Sequence, residues 1–161
     1  MIQMSVRGIS VDSAAGSAIL VLEGPNGEGL AIAIGVAEAT SIAKELEGVE
    51  FPRPLTHDLL MSCLDILGAS LESVEVSDLR DDTYFAELVV QDASGKEQRI
   101  DSRPSDAIAL AVRRDAPIFV RRRVLRLSDP EAQEIPPPAD KESWKRLLRE
   151  MDPEDFGKYK M

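Results

Sequence analysis

The chain has one cysteine, one histidine and one tryptophan among 161 residues, and aromatic residues make up only 4% of it. A lone Cys63 excludes a disulfide framework and a thiolate metal cluster. A lone His57 excludes multi-histidine zinc sites, which leaves carboxylate-bound magnesium or manganese as the accessible metal chemistry. No uninterrupted apolar run is long enough to span a bilayer, so no membrane partner is expected. No basic leader followed by an apolar block opens the sequence, and the expectation is a cytoplasmic protein. Positive charge is scarce as well: 19 Lys and Arg stand against 29 Asp and Glu, a net charge of −10, which argues against a general nucleic-acid coat. The cations that exist are concentrated. Arg113, Arg114, Arg121, Arg122, Arg123 and Arg126 are opposed within their stretch only by Asp115, a run that reads equally as a solvated strand edge or as a phosphate-binding groove.

Apolar content of 43% and charged content of 30% suit one compact unit with a core of its own. Residues 5–47 overlay residues 73–115 at a constant offset of 68 without a gap, with matched pairs such as Leu20/Leu88, Gly27/Gly95, Ala39/Ala107 and Ala43/Ala111. Each copy reads as three short strands and a helix. The first comprises strands 4–11, 17–22 and 30–34 and helix 36–46; the second comprises strands 71–79, 84–91 and 98–102 and helix 104–114. Between them an extra helix begins with Thr56 as N-cap and ends before Gly68, and its apolar body, including Cys63, is expected to be mostly buried. A closing strand at 116–120 completes an α+β domain over residues 1–128. Residues 129–139 form a proline-rich spacer, and 140–161 form an amphipathic helical tail with Trp144, Leu147, Leu148 and Met151 on one side.

If the repeat sets the fold, residues that differ between copies are candidates for chemistry. Asp101 corresponds to Ala33, Arg103 to Gly35 and Glu87 to Ile19, while Asp106 corresponds to Glu38. On this basis the first copy reads as scaffold. The segment Asp101-Ser102-Arg103-Pro104-Ser105-Asp106 turns a strand into a helix. A helix start with unpaired N–H groups beside an arginine suits an anion such as phosphate. The plainer reading is a helix cap, with Pro104 in the first turn and Asp106 complementing the dipole. Arg53-Pro54-Leu55-Thr56-His57-Asp58 repeats the pattern, and the two starts are expected to converge.

The segments Arg53–Leu59, Tyr84-Phe85-Ala86-Glu87-Leu88 and Asp101–Ala111 resemble the bifunctional nuclease domain family, and 116–120 fits it too. The resemblance implies an α+β fold with an internal repeat, self-association into a homo-oligomer, and action on both DNA and RNA as substrates. Site roles follow from side-chain chemistry. His57, Asp58, Glu87, Asp101 and Asp106 are the catalytic candidates, Arg53, Arg103 and Ser105 the phosphate-binding ones, and Glu87 with Asp101 the ligands for magnesium or manganese. The competing readings are structural. His57 is then only a first-turn helix residue, and Glu87 and Asp101 pair with Arg103 and Arg53. The competing functions are a non-catalytic oligomeric module that binds nucleotides or phosphate, and a scaffold acting through the Trp144 helix.

Overall fold

A computed structural model describes residues 1–12 and 17–128; the expected spacer and amphipathic tail lie outside these residues. The elements in chain order are β1 (Ile2–Asp12), β2 (Ser17–Glu23), β3 (Gly29–Gly35), α1 (Val36–Leu46), α2 (Thr56–Ile66), β4 (Ser70–Arg80), β5 (Thr83–Gln91), β6 (Glu97–Ser102), α3 (Pro104–Arg114), β7 (Ile118–Val120) and α4 (Arg122–Leu127). The strands form one sheet in the order β3-β2-β1-β7-β4-β5-β6. Two antiparallel three-stranded meanders thus flank the short β7, which runs antiparallel to β1 and parallel to β4.

The local chemistry explains these boundaries. Gly27 and Gly95, with φ of 84° and 83°, supply the left-handed residue in the turns that lead into β3 and β6. Asp81 and Asp82, both at positive φ, close the β4–β5 hairpin with the tight two-residue turn whose twist matches its strands. Alternating side chains then divide the sheet into two faces. Leu20, Leu22, Val74, Val76, Ala86 and Leu88 belong to the core cluster, together with Ile42 of α1 and Ile108 and Leu110 of α3. The small Ala39, Ala43, Ala107 and Ala111, all buried, let α1 and α3 lie against each other.

Helices at 36–46 and 104–114 form over the expected residues. The offset of 68 also carries the β2–β3 register onto β5–β6: Ile19 pairs with Ala33 as Glu87 pairs with Asp101. It fails in the first hairpin of each unit. Leu20 pairs with Ile9, but Leu88 pairs with Val74 rather than Ser77, because the tight Asp81–Asp82 turn and the bulges in β4 reset the register.

Three further expectations are corrected. Thr56 is the first helical residue of α2, not its N-cap; Leu55 occupies that position, and its N–H donates to Asp58 Oδ2 at 2.8 Å. Helix α2 is not mostly buried: Met61 is its only buried residue, and Cys63 is exposed. The arginine run forms neither a free edge nor an open basic groove, because α4 begins within it. Arg113, Arg114, Arg121 and Arg123 pair with Asp58, Asp65, Glu75 and Asp78.

Candidate functional site

The starts of three helices meet around one cavity of about 510 Å³. Its wall takes Val36, Ala37, Glu38, Thr40 and Ser41 from α1, Leu55, Thr56 and His57 from the start of α2, and Arg103 and Asp106 from the start of α3. Three positive dipole ends at one hollow favour negative charge there. The resident carboxylates of Glu38 and Asp106 supply part of it.

His57 occupies the centre. Its Nδ1 lies 2.9 Å from Ser41 Oγ and its Nε2 lies 3.1 Å from Asp106 Oδ1. Buried Arg113 donates through Nη2 to Ser41 Oγ at 2.9 Å. The direction of the chain is set at its other end: the ionised Asp106 carboxylate can only accept, so Nε2 carries the N–H, and a neutral ring then leaves Nδ1 to accept the Ser41 hydroxyl proton. Arg103 Nε donates to Asp106 Oδ2 at 2.7 Å, and Nη2 reaches Asp106 Oδ1 and Glu38 Oε1 at 3.0 Å each. Its Nη1 makes no hydrogen bond among the described residues. Burial alone would push the Asp106 carboxyl up, but the hydrogen bonds from Arg103 and His57 bring it below its ordinary value. Asp106 therefore holds a negative charge between a ring N–H and a guanidinium.

Behind the cavity Asp58 serves as an anchor. Its Oδ1 accepts from Arg113 Nε at 2.7 Å and its Oδ2 from Lys44 Nζ at 3.1 Å. Burial works against the charge, but the Leu55 amide, Arg113 and Lys44 outweigh it and hold the carboxyl at about 2. Together these contacts tie α2 to α1 and α3.

The two helix starts converge as expected through His57 and Asp106, with Arg103 beside them. The other candidates lie elsewhere. Arg53 is exposed and off the cavity wall, and Ser105 is buried in the first turn of α3, also off the wall. Glu87 and Asp101 face each other across β5–β6. They lie on the opposite sheet face from Ala86 and Leu88, and so point away from α1 and α3. Glu87 pairs with Arg99 at 3.1 Å, not with Arg103. No group of three or more His, Cys, Asp or Glu side chains among the described residues is arranged to hold a metal ion. Two carboxylates on the sheet face away from the cavity, Glu87 already paired with Arg99, do not fit a magnesium or manganese centre.

Sequence reasoning missed Glu38, Ser41 and Arg113. Glu38 is legible as the counterpart of Asp106, but taking the first unit as scaffold passes over it; α1 in fact supplies part of the cavity wall. Ser41 and Arg113 carried no local signal, because only the packing of α1 against α3 brings them to His57.

A histidine held between a hydroxyl and a carboxylate thus stands beside an arginine at the wall of a largely apolar cavity. The sequence matches the bifunctional nuclease domain over residues 20–133, and the chain belongs to that family. An uncharacterized protein of Mycobacterium tuberculosis is 37% identical over 163 residues, covering 96% of this chain and 97% of that protein. A bifunctional nuclease of Oryza minuta is 28% identical over 94% of this chain and 48% of its own length. Bifunctional nuclease 2 of Arabidopsis thaliana is 31% identical over 72% of this chain and 36% of its own length. The chain thus spans about half or less of these plant relatives. No helix among the described residues is long and apolar enough to cross a membrane.

Proposed function

We propose that this domain is a cytoplasmic nuclease that hydrolyses phosphodiester bonds in DNA and RNA at the cavity where α1, α2 and α3 begin. The reading rests on the His57 Nε2 to Asp106 Oδ1 contact of 3.1 Å with Arg103 bound to the same carboxylate. Phosphodiester hydrolysis needs a proton taken from the attacking water and one returned to the leaving oxygen. The proton enters the ring at Nδ1 by way of the Ser41 hydroxyl, which takes the water's proton as it passes its own to Nδ1; the imidazolium so formed, held by Asp106 at Nε2, returns a proton to the leaving oxygen by the same route. Arg103 Nη1 binds a phosphate oxygen and opposes the charge that grows on phosphorus. Asp58 and Arg113 keep α2 in place and Ser41 keeps the ring oriented. Attack by water requires no ribose 2′-hydroxyl, which accommodates both sugar types.

The test uses single-stranded DNA and RNA oligonucleotides with the purified chain, in magnesium, in manganese and in chelator. Both substrates should be cut, and the dependence on the metal is read directly. His57→Ala and Arg103→Ala should each lower the rate by about a hundredfold or more, with unchanged circular dichroism. Asp101→Asn should stay within about twofold, since Asp101 lies on the other sheet face.

One observation favours a second reading. Both ring nitrogens of His57 are engaged and Arg103 is held by two carboxylates, a closed network suited to a non-catalytic module that binds a nucleotide or phosphate. Oligonucleotide binding that Arg103→Ala abolishes, without cleavage under any of the three conditions, would replace the first reading with this one.

A further inference from the structure

The cavity where α1, α2 and α3 begin is far larger than an anion needs. Its volume of about 510 Å³ falls within the roughly 300–1,000 Å³ of small-molecule sites. Its wall is also divided. Glu38, Ser41, His57, Arg103 and Asp106 are joined to one another by hydrogen bonds and ion pairs and make one part of it. Val36, Ala37, Thr40, Leu55 and Thr56 make the rest. Thr40 Oγ1 donates to the Val36 carbonyl at 2.8 Å, so that hydroxyl is turned back onto α1. At 100° per residue, Val36 and Thr40 stand within about 40° of each other on α1, and Glu38 lies on the opposite side of the helix. A ligand that fills this hollow therefore carries an anion at one end and an uncharged, largely apolar body at the other. Arg103 Nη1 is the donor left over for the anion among the described residues.

We propose that the apolar part of the cavity takes one unpaired nucleobase of the strand whose phosphate Arg103 holds. The proposal rests on the nuclease reading of the same site and adds what is recognised there. Base and phosphate are one sugar apart, so a single nucleotide meets both parts of the wall, whereas a phosphate alone leaves the apolar part empty. No aromatic ring lines the cavity for stacking. Beyond Thr56, the apolar residues offer no side-chain group that reads a base edge. The base is held by its removal from water, and all four bases are accepted alike. A base within a duplex is paired and stacked, and it reaches the hollow only by leaving the stack. A single strand presents it at little cost.

The experiment measures binding of AMP, CMP, ribose 5-phosphate and inorganic phosphate to the full chain by calorimetry. It also compares cleavage of one DNA sequence as a single strand, as a duplex and as a single strand with one abasic position. AMP and CMP should bind about tenfold or more tighter than ribose 5-phosphate, and Arg103→Ala should weaken all of them. Ala37→Leu narrows the hollow at an exposed helical position, and Val36→Asn makes its wall polar. Each should remove most of the preference for AMP over ribose 5-phosphate at an unchanged melting temperature. The single strand should be cut about tenfold faster than the duplex, and cleavage beside the abasic position should fall about tenfold. Ribose 5-phosphate bound as tightly as AMP, no binding of AMP, or a preference that both wall variants leave intact would overturn the proposal. Binding is read without turnover, so the two readings fail separately. A chain that prefers AMP and cuts nothing keeps the base pocket and loses the reaction; a chain that cuts duplex, normal and abasic strands alike keeps the reaction and loses the pocket.

Discussion

Two arginine-centred networks occupy opposite faces of this sheet, and they behave differently because of what surrounds them. On the helix face, Arg113 is 5% exposed and fully bonded to Asp58, Ser41 and the Ala109 carbonyl, behind a cavity that holds the only histidine. On the other face, Arg99 is 44% exposed and gathers Glu75, Glu87 and Glu97, with Arg121 at 3.8 Å from Glu75 and none of them on the cavity wall. The ion-pair chemistry is the same, but burial and access differ. In one network the pairs tie the start of α2 to the last turns of α1 and α3, behind the hollow. In the other they fasten an edge strand to its neighbours.

The comparison breaks most sharply if the buried arginine proves dispensable. Arg113→Met removes one partner of a largely buried pair and leaves Asp58 with Lys44 and the Leu55 amide, and it also strips Ser41 of its donor, which together should cost about 3 kcal/mol. Urea unfolding checks this, and a loss below about 1 kcal/mol would mean that the helix face is held by packing alone.

Acid gives the next effect. Asp58 titrates at about 2 against an ordinary 3.8, so its charge stabilises the folded chain by about 2 kcal/mol at neutral pH. Because the folded value is the lower one, that contribution is full above pH 4 and disappears as the pH falls through 2. The stability gap between wild type and Asp58→Asn should therefore be widest at pH 7 and shrink between pH 4 and pH 2. A gap constant over that range would show that Asp58 acts by shape rather than by charge.

Much of the architecture was legible because it is written locally. The apolar alternation, the turn glycines at 27 and 95 and the Arg-Pro helix starts located β2, β3, β5, β6, α1 and α3 to within a residue at most boundaries. The convergence of His57 with Asp106 was legible too, because both helix starts carry the same pattern. What could not be read was which sheet face a charged residue occupies relative to helices packed from elsewhere. Glu87 and Asp101 lie on the sheet face away from α1 and α3, and alternation alone would put Arg103, two residues on, with them; Arg103 reaches the cavity because it caps α3 instead of continuing β6. Helix α2 misled for a related reason: its apolar body predicts burial, but of its residues only Met61 is buried.

The smallest effects belong to the exposed network, and they decide whether the two faces are independent. Arg99→Ala frees Glu87 and Glu97 into solvent and leaves the buried Glu75 to Arg121, which needs to close only from 3.8 Å. Because the one buried partner keeps a cation in Arg121 and the Glu87 and Glu97 pairs are open to solvent, the loss should be about 1 kcal/mol. Glu87→Gln removes one charge from a cluster with an acid to spare, and should shift stability by less than about 0.5 kcal/mol. Neither change should alter DNA or RNA cleavage by more than about twofold, because β5 and β6 reach the cavity only through the backbone that enters α3. Unfolding curves and cleavage rates measured on the same preparations test both statements. A tenfold loss of cleavage in Glu87→Gln at unchanged stability would show that the sheet face takes part in the reaction and would join the two networks into one site.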